Sequence, residues 1–119
     1  MNALSGKCVL VVEDEFLIAT MIADVLIAAQ ATVVGPAWSA EQALELARSA
    51  RLDAAVLDIN LRGCRSDAVA QELRMRGIPF VVATGYADDL ASDVADACII
   101  ISKPFTEERL LGAVSHALR

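Results

Sequence analysis

The sequence has no surplus of positive charge, no long uninterrupted apolar run and no cysteines at metal-ligand spacing. Its 10 Lys and Arg stand against 16 Asp and Glu, a formal net charge of −6. A broad nucleic-acid interface needs a positive surface, so direct binding to phosphate backbones is not expected. The longest apolar region, residues 16–29, is broken by Thr20 and Asp24. That is short of the roughly 20 apolar residues that span a bilayer, so no membrane partner is expected. One lysine precedes the first apolar run and acids follow it, a pattern unlike a signal peptide. Cys8, Cys64 and Cys98 form no CxxC pair, and an odd count in apolar or loop contexts fits a reduced, cytoplasmic setting. Linkers, internal repeats and low-complexity tracts are absent as well. The 119 residues are therefore read as one domain, 1–119.

What is present is a packed core: hydrophobic residues make up 56% of the chain, which excludes disorder. Short apolar runs alternate with helical patterns. Residues 9–12, 32–35, 54–58, 80–83 and 98–102 read as strands, the second stopped by Pro36. Helices are expected over 15–29, with Ile18, Met21, Ile22 and Val25 on one face, and from a capping box at Ser39-Ala40-Glu41-Gln42 to residue 50. A third runs from a Ser66 or Asp67 cap to residue 76 and stops at Gly77. A short fourth ends near residue 94, and a last one follows a Thr106 cap, with Glu107 and Glu108 on its first turn. Residues 59–65 and 85–88 read as loops. Five strand–helix units imply an α/β flavodoxin-like (βα)5 sandwich, three layers deep, with a parallel sheet in the order 2-1-3-4-5.

In such a sheet ligands bind at the carboxyl ends of the strands. The first strand runs into Glu13-Asp14-Glu15, the third ends in Asp58, the fourth in Thr84 and the fifth in Lys103. First and third strands are neighbours in this order, so Glu13, Asp14 and Asp58 converge. Like charges repel, and burying them is costly, so a shared divalent cation is expected; hard carboxylate oxygens suit Mg²⁺. The cation leaves Asp58 ionised as a nucleophile. Thr84 and Lys103 are placed to hold oxygens of an incoming phosphoryl group.

The runs V-L-V-V-E-D-E, A-A-V-L-D-I-N-L, A-T-G and S-K-P-F make the whole chain resemble a response-regulator receiver domain. The resemblance implies phosphorylation of Asp58 and Mg²⁺ bound directly by Asp14 and Asp58, through water by Glu13, and by the backbone carbonyl of Asn60. It also implies a cis Lys103–Pro104 bond. The stretch P-F-V-V-A-T-G-Y at residues 79–86 is similar to the P-F-x-F-A-T-G-Y signature of a receiver subgroup, departing from it at Val82. That subgroup lacks the usual aromatic switch on the fifth strand, and Ile100 stands at the corresponding position here. Gly85 makes the loop after Thr84 pliable, Tyr86 is the candidate substitute reporter, and Asn60 and Tyr86 occupy positions that tune dephosphorylation in the family.

The resemblance further implies a sensor histidine kinase or a histidine phosphotransfer protein as partner, with a homodimer compatible with it. No output domain follows the last helix in this sequence, which fits a stand-alone receiver or an excised one. Phe16, Ala23 and Ile27 are expected to lie away from the core face of the first helix, as a docking face for a kinase helical bundle. Leu110, Leu111, Val114 and Leu118 read as core, as does Cys8. His116 is not expected to relay phosphate. Two rivals remain open. One is a haloacid-dehalogenase-like phosphatase, although Asn60 stands where that chemistry wants a second acid. The other is an interaction module with a vestigial site.

Overall fold

The computed structural model describes residues 3–58, 60–61, 64–65, 67–84 and 99–118. In chain order these form β1 (Cys8–Val12), α1 (Phe16–Ala28), β2 (Thr32–Ala37), α2 (Ala40–Ser49), β3 (Ala54–Asp58), β4 (Asn60–Leu61), β5 (Cys64–Arg65), α3 (Asp67–Met75), β6 (Phe80–Thr84), β7 (Ile99–Ser102) and α4 (Glu107–Ala117). Five strands make one parallel sheet in the order β2-β1-β3-β6-β7. In order of appearance that is 2-1-3-4-5, as expected. The short fourth helix expected near residue 94, and Cys98 at the start of the fifth strand, lie outside the described residues.

Alternation along each strand divides the core in two. Leu10 and Val12 of β1, Ala55 and Leu57 of β3, and Phe80 and Val82 of β6 pack with Ala43 and Ala47 of α2 and with Val69, Ala70 and Leu73 of α3. Val9, Val11, Ala54, Val56, Val81 and Ala83 face the other way, onto Ile22, Val25 and Leu26 of α1 and Leu110, Ala113 and Val114 of α4. Strands buried on both faces read as unbroken apolar runs for this reason. Leu111 and Leu118 pack partly buried at the margin of the second cluster. Cys8 is half-buried at the start of β1, less enclosed than its sequence context implies.

Three local features differ from expectation. The second strand does not stop at Pro36. It continues to Ala37 after a shift of register in which Val12 pairs with Ala37. An edge strand tolerates proline because its outer amides need no partner, and Gly35 takes up the irregularity with φ +96° beside a cis Gly35–Pro36 bond. Residues 60–61 and 64–65, expected as loop, pair antiparallel. On α1, Ala23 is only 8% exposed, whereas Phe16 and Ile27 are 65% and 56% exposed. Ala23 therefore belongs to the core face and leaves the expected docking face. The helix is apolar almost all round, so its periodicity marks a face poorly.

The helix ends follow the sequence closely. Ser39 Oγ accepts from the Gln42 amide at 3.1 Å, while Gln42 Oε1 accepts from the amide of Trp38, not of Ser39. Thr106 Oγ1 accepts from the Arg109 amide, and Gly77 follows α3 with φ +71°.

Two glycines test these statements in opposite directions. A Cβ at Gly35 would lie 2.7 Å from Ala37 N and 3.0 Å from Val11 O, whereas one at Gly112, inside α4, would meet nothing within 4 Å. Gly35→Ala is expected to destabilise the fold by at least about 1–2 kcal/mol, the cost of the left-handed region plus the clash. Gly112→Ala should stabilise it by about 0.5–1 kcal/mol through helix propensity. Thermal or denaturant unfolding of the two variants checks both signs.

Candidate functional site

The register of the sheet decides which side chains meet. Val12 lies opposite Leu57, so Glu13 and Asp58 follow at the same level on adjacent strands. Both continue the alternation of Val9, Val11, Ala54 and Val56, so both fall on the α1/α4 side of the sheet. On β6, Ala83 pairs with Asp58, and Thr84 pairs with Ser102 at the end of β7. Lys103 is the next residue, and the Lys103–Pro104 bond is cis.

Oxygens of Glu13, Asp14 and Asp58 all lie within 4.8 Å of one another. Glu13 is fully buried and Asp58 is 8% exposed. The ammonium of Lys103 donates to Glu13 Oε1 at 2.7 Å and stands 3.6 Å from Asp58 Oδ2. The second oxygen of Glu13 accepts from the backbone amide of Glu15 at 3.2 Å. The amide of Glu13 donates to the carbonyl of Ala37, a contact that exists only because β2 runs past Pro36.

The electrostatics follow from this packing. Burial lifts the Glu13 carboxyl above its ordinary 4.5; the Lys103 hydrogen bond pulls the other way without cancelling it, and the charge of Asp58 adds to the rise. Burial also works against the charge on Lys103. The hydrogen bond to Glu13 and the charges of Asp58, Glu13 and Glu15 outweigh it and hold the ammonium above its ordinary 10.5. Three carboxylates are thus opposed, among the described residues of the cluster, by the single cation Lys103. A divalent cation fits this donor set: the oxygens are close, hard and short of positive charge.

The structure therefore gathers Glu13, Asp14, Asp58 and Lys103. It places the backbones of Asn60 and Thr84 at the same edge, Asn60 in β4 and Thr84 ending β6. Gly85 and Tyr86 lie outside the described residues. Ile100, on β7, is half-buried and packs partly against the α2/α3 core. His116 is exposed near the end of α4. Two supports of Glu13 were not anticipated, the Ala37 carbonyl and the Glu15 amide. The three-acid run 13–15 carried a signal for the second; Gly35, placed just before Pro36, carried one for the first.

The family model described as "Response regulator receiver domain" matches residues 9–115. The transcriptional regulatory protein PdtaR of Mycobacterium tuberculosis is 32% identical over 121 residues, which cover 98% of this chain and 59% of that relative. The chain thus spans about three fifths of the curated relative's length. The solution structure of SdrG from Sphingomonas melonis Fr1 is similar over the full length of both chains, with a TM-score of 0.84 and 40% identity. The receiver domain of PhyR from Erythrobacter litoralis is similar over 98% of this chain and 93% of that one, with a TM-score of 0.86 and 28% identity.

The raised Glu13 carboxyl has a consequence for stability. The native state keeps this proton to higher pH than the unfolded chain. Its contribution is therefore full below 4.5 and is lost as pH rises through the elevated value. Without divalent cations, the denaturant midpoint should fall over that window and fall less in Glu13→Gln. Added Mg²⁺ should restore the wild-type midpoint near neutral pH more than that of the variant. Identical pH slopes in the two proteins would contradict the assignment of the acid.

Proposed function

The chain belongs to the response-regulator receiver domain family, and on that footing we propose that Asp58 is its phosphoacceptor. The observation that carries the reading is Lys103, whose ammonium stands 3.6 Å from Asp58 Oδ2 at the rim where Glu13 and Asp14 also lie. Glu13, Asp14, Asp58 and the Asn60 carbonyl are the groups that would hold Mg²⁺. When bound, that ion supplies positive charge against the carboxylates and the phosphoryl oxygens. An Asp58 oxygen attacks the phosphorus, and the donor leaves with the electrons of the broken bond. Lys103 and the Thr84 hydroxyl take phosphoryl oxygens as charge builds there. The protein's contribution is positioning and charge neutralisation, and the domain acts only on itself.

The donors are a sensor histidine kinase or a histidine phosphotransfer protein, met in the cytoplasm. Phosphorylation adds charge that Lys103 and Thr84 would follow, and this would shift a two-state loop. With Ile100 where an aromatic switch commonly stands, Tyr86 takes the reporting role, and Asn60 with Tyr86 sets the lifetime of the phosphoryl group. Of the three residues expected to face a partner, Phe16 and Ile27 are exposed on α1, and Leu17 and Met21 join them there. A stand-alone receiver and a homodimer belong to the same proposal.

Incubation with Mg²⁺ and acetyl phosphate is expected to add one phosphoryl group by intact mass. The adduct should be absent in Asp58→Asn and abolished by chelation of the metal. Steady turnover of phosphate monoesters would favour a phosphatase. No adduct with any donor would favour a vestigial site.

A further inference from the structure

Glu15 is the carboxylate of the 13–15 run that the site does not absorb. It lies outside the trio whose oxygens gather within 4.8 Å. As the residue before α1 it has extended backbone angles, φ −86° and ψ 114°, and its side chain makes no capping hydrogen bond. Its amide is fixed on Glu13 Oε2 at 3.2 Å, which pins the residue beside the buried acid while its side chain stays exposed. Its charge is nevertheless felt at Lys103. The result is an exposed carboxylate whose backbone is held beside the buried acid, used neither for chelation nor for capping.

We propose that Glu15 is a specificity-determining residue, whose carboxylate at the mouth of the site disfavours small phosphodonors in proportion to their negative charge. This rests on the phosphoacceptor reading of Asp58. Acetyl phosphate approaches as a dianion; Asp58 forms the new P–O bond and acetate leaves with the electron pair of the old one. Phosphoramidate approaches as a monoanion with a protonated nitrogen; the same bond forms, the P–N bond breaks, and ammonia leaves with its electrons. Passage of either donor brings its charge past Glu15, twice as much for the first. A unit charge several ångströms away in near-aqueous surroundings changes such a rate only severalfold.

The test is the ratio of the two rate constants, acetyl phosphate over phosphoramidate, for adduct formation at saturating Mg²⁺. It is read by intact mass on the full chain. A ratio on one protein cancels any partial misfolding of a variant. Glu15→Gln is expected to raise it about twofold to threefold, with the gap closing in 1 M salt as the screening length falls to ~3 Å. Glu15→Asp, which keeps the charge, should retain the wild-type ratio. An adduct on the wild type with an unchanged ratio in Glu15→Gln would overturn this inference alone, as would a raised ratio insensitive to salt. No adduct on the wild type with either donor would overturn it together with the phosphoacceptor reading.

Discussion

Repulsion among Glu13, Asp14 and Asp58 is the constraint around which the rest of the molecule is arranged. Separated, three carboxylates would each be well hydrated. Here their oxygens lie within 4.8 Å, and one of them is wholly buried. The sheet enforces this, because the pairing of Val12 with Leu57 brings the next residue of each strand side by side. The burial of valine, leucine and alanine along those strands holds the register, since a slip by one residue would turn every core side chain to the wrong layer. Hydrophobic packing thus holds an electrostatic arrangement that the acids alone would undo. Lys103, delivered from β7, answers part of the imbalance, and what remains is attraction for a further cation.

Much of this was legible in the sequence because it depends on period-two alternation. The apolar runs at 9–12, 54–58 and 80–83 fall within strands bounded almost where the residues indicate. The acids and the lysine that follow them are the ones brought together. Capping was equally legible at Ser39 and Thr106, because a short-range hydroxyl–amide contact needs no tertiary information.

Elements governed by context were not legible. Pro36 looks like a stop, yet an edge strand has amides to spare, and Gly35 lets the chain rejoin β1 at Ala37. The pairing of residues 60–61 with 64–65 is too short to leave a pattern of hydrophobicity. On α1 nearly every position is apolar, so only the packed structure separates buried Ala23 from exposed Phe16 and Ile27. Glu15 was passed over for a related reason: it reads as one more acid opening the expected helix until its amide is seen bound to Glu13.

Trp38, the one tryptophan of the chain, stands 43% exposed and edge-on to Phe16, with ring centroids 6.4 Å apart. Its neighbour Ala37 takes the amide of Glu13 through its carbonyl, and Phe16 lies two residues past Asp14. Phe16 is therefore tied to the acids of the cluster by a short run of chain, and Trp38 through its neighbour's hydrogen bond to Glu13. A change at those acids that shifted either ring would alter the surroundings of the indole, the natural fluorophore of the chain.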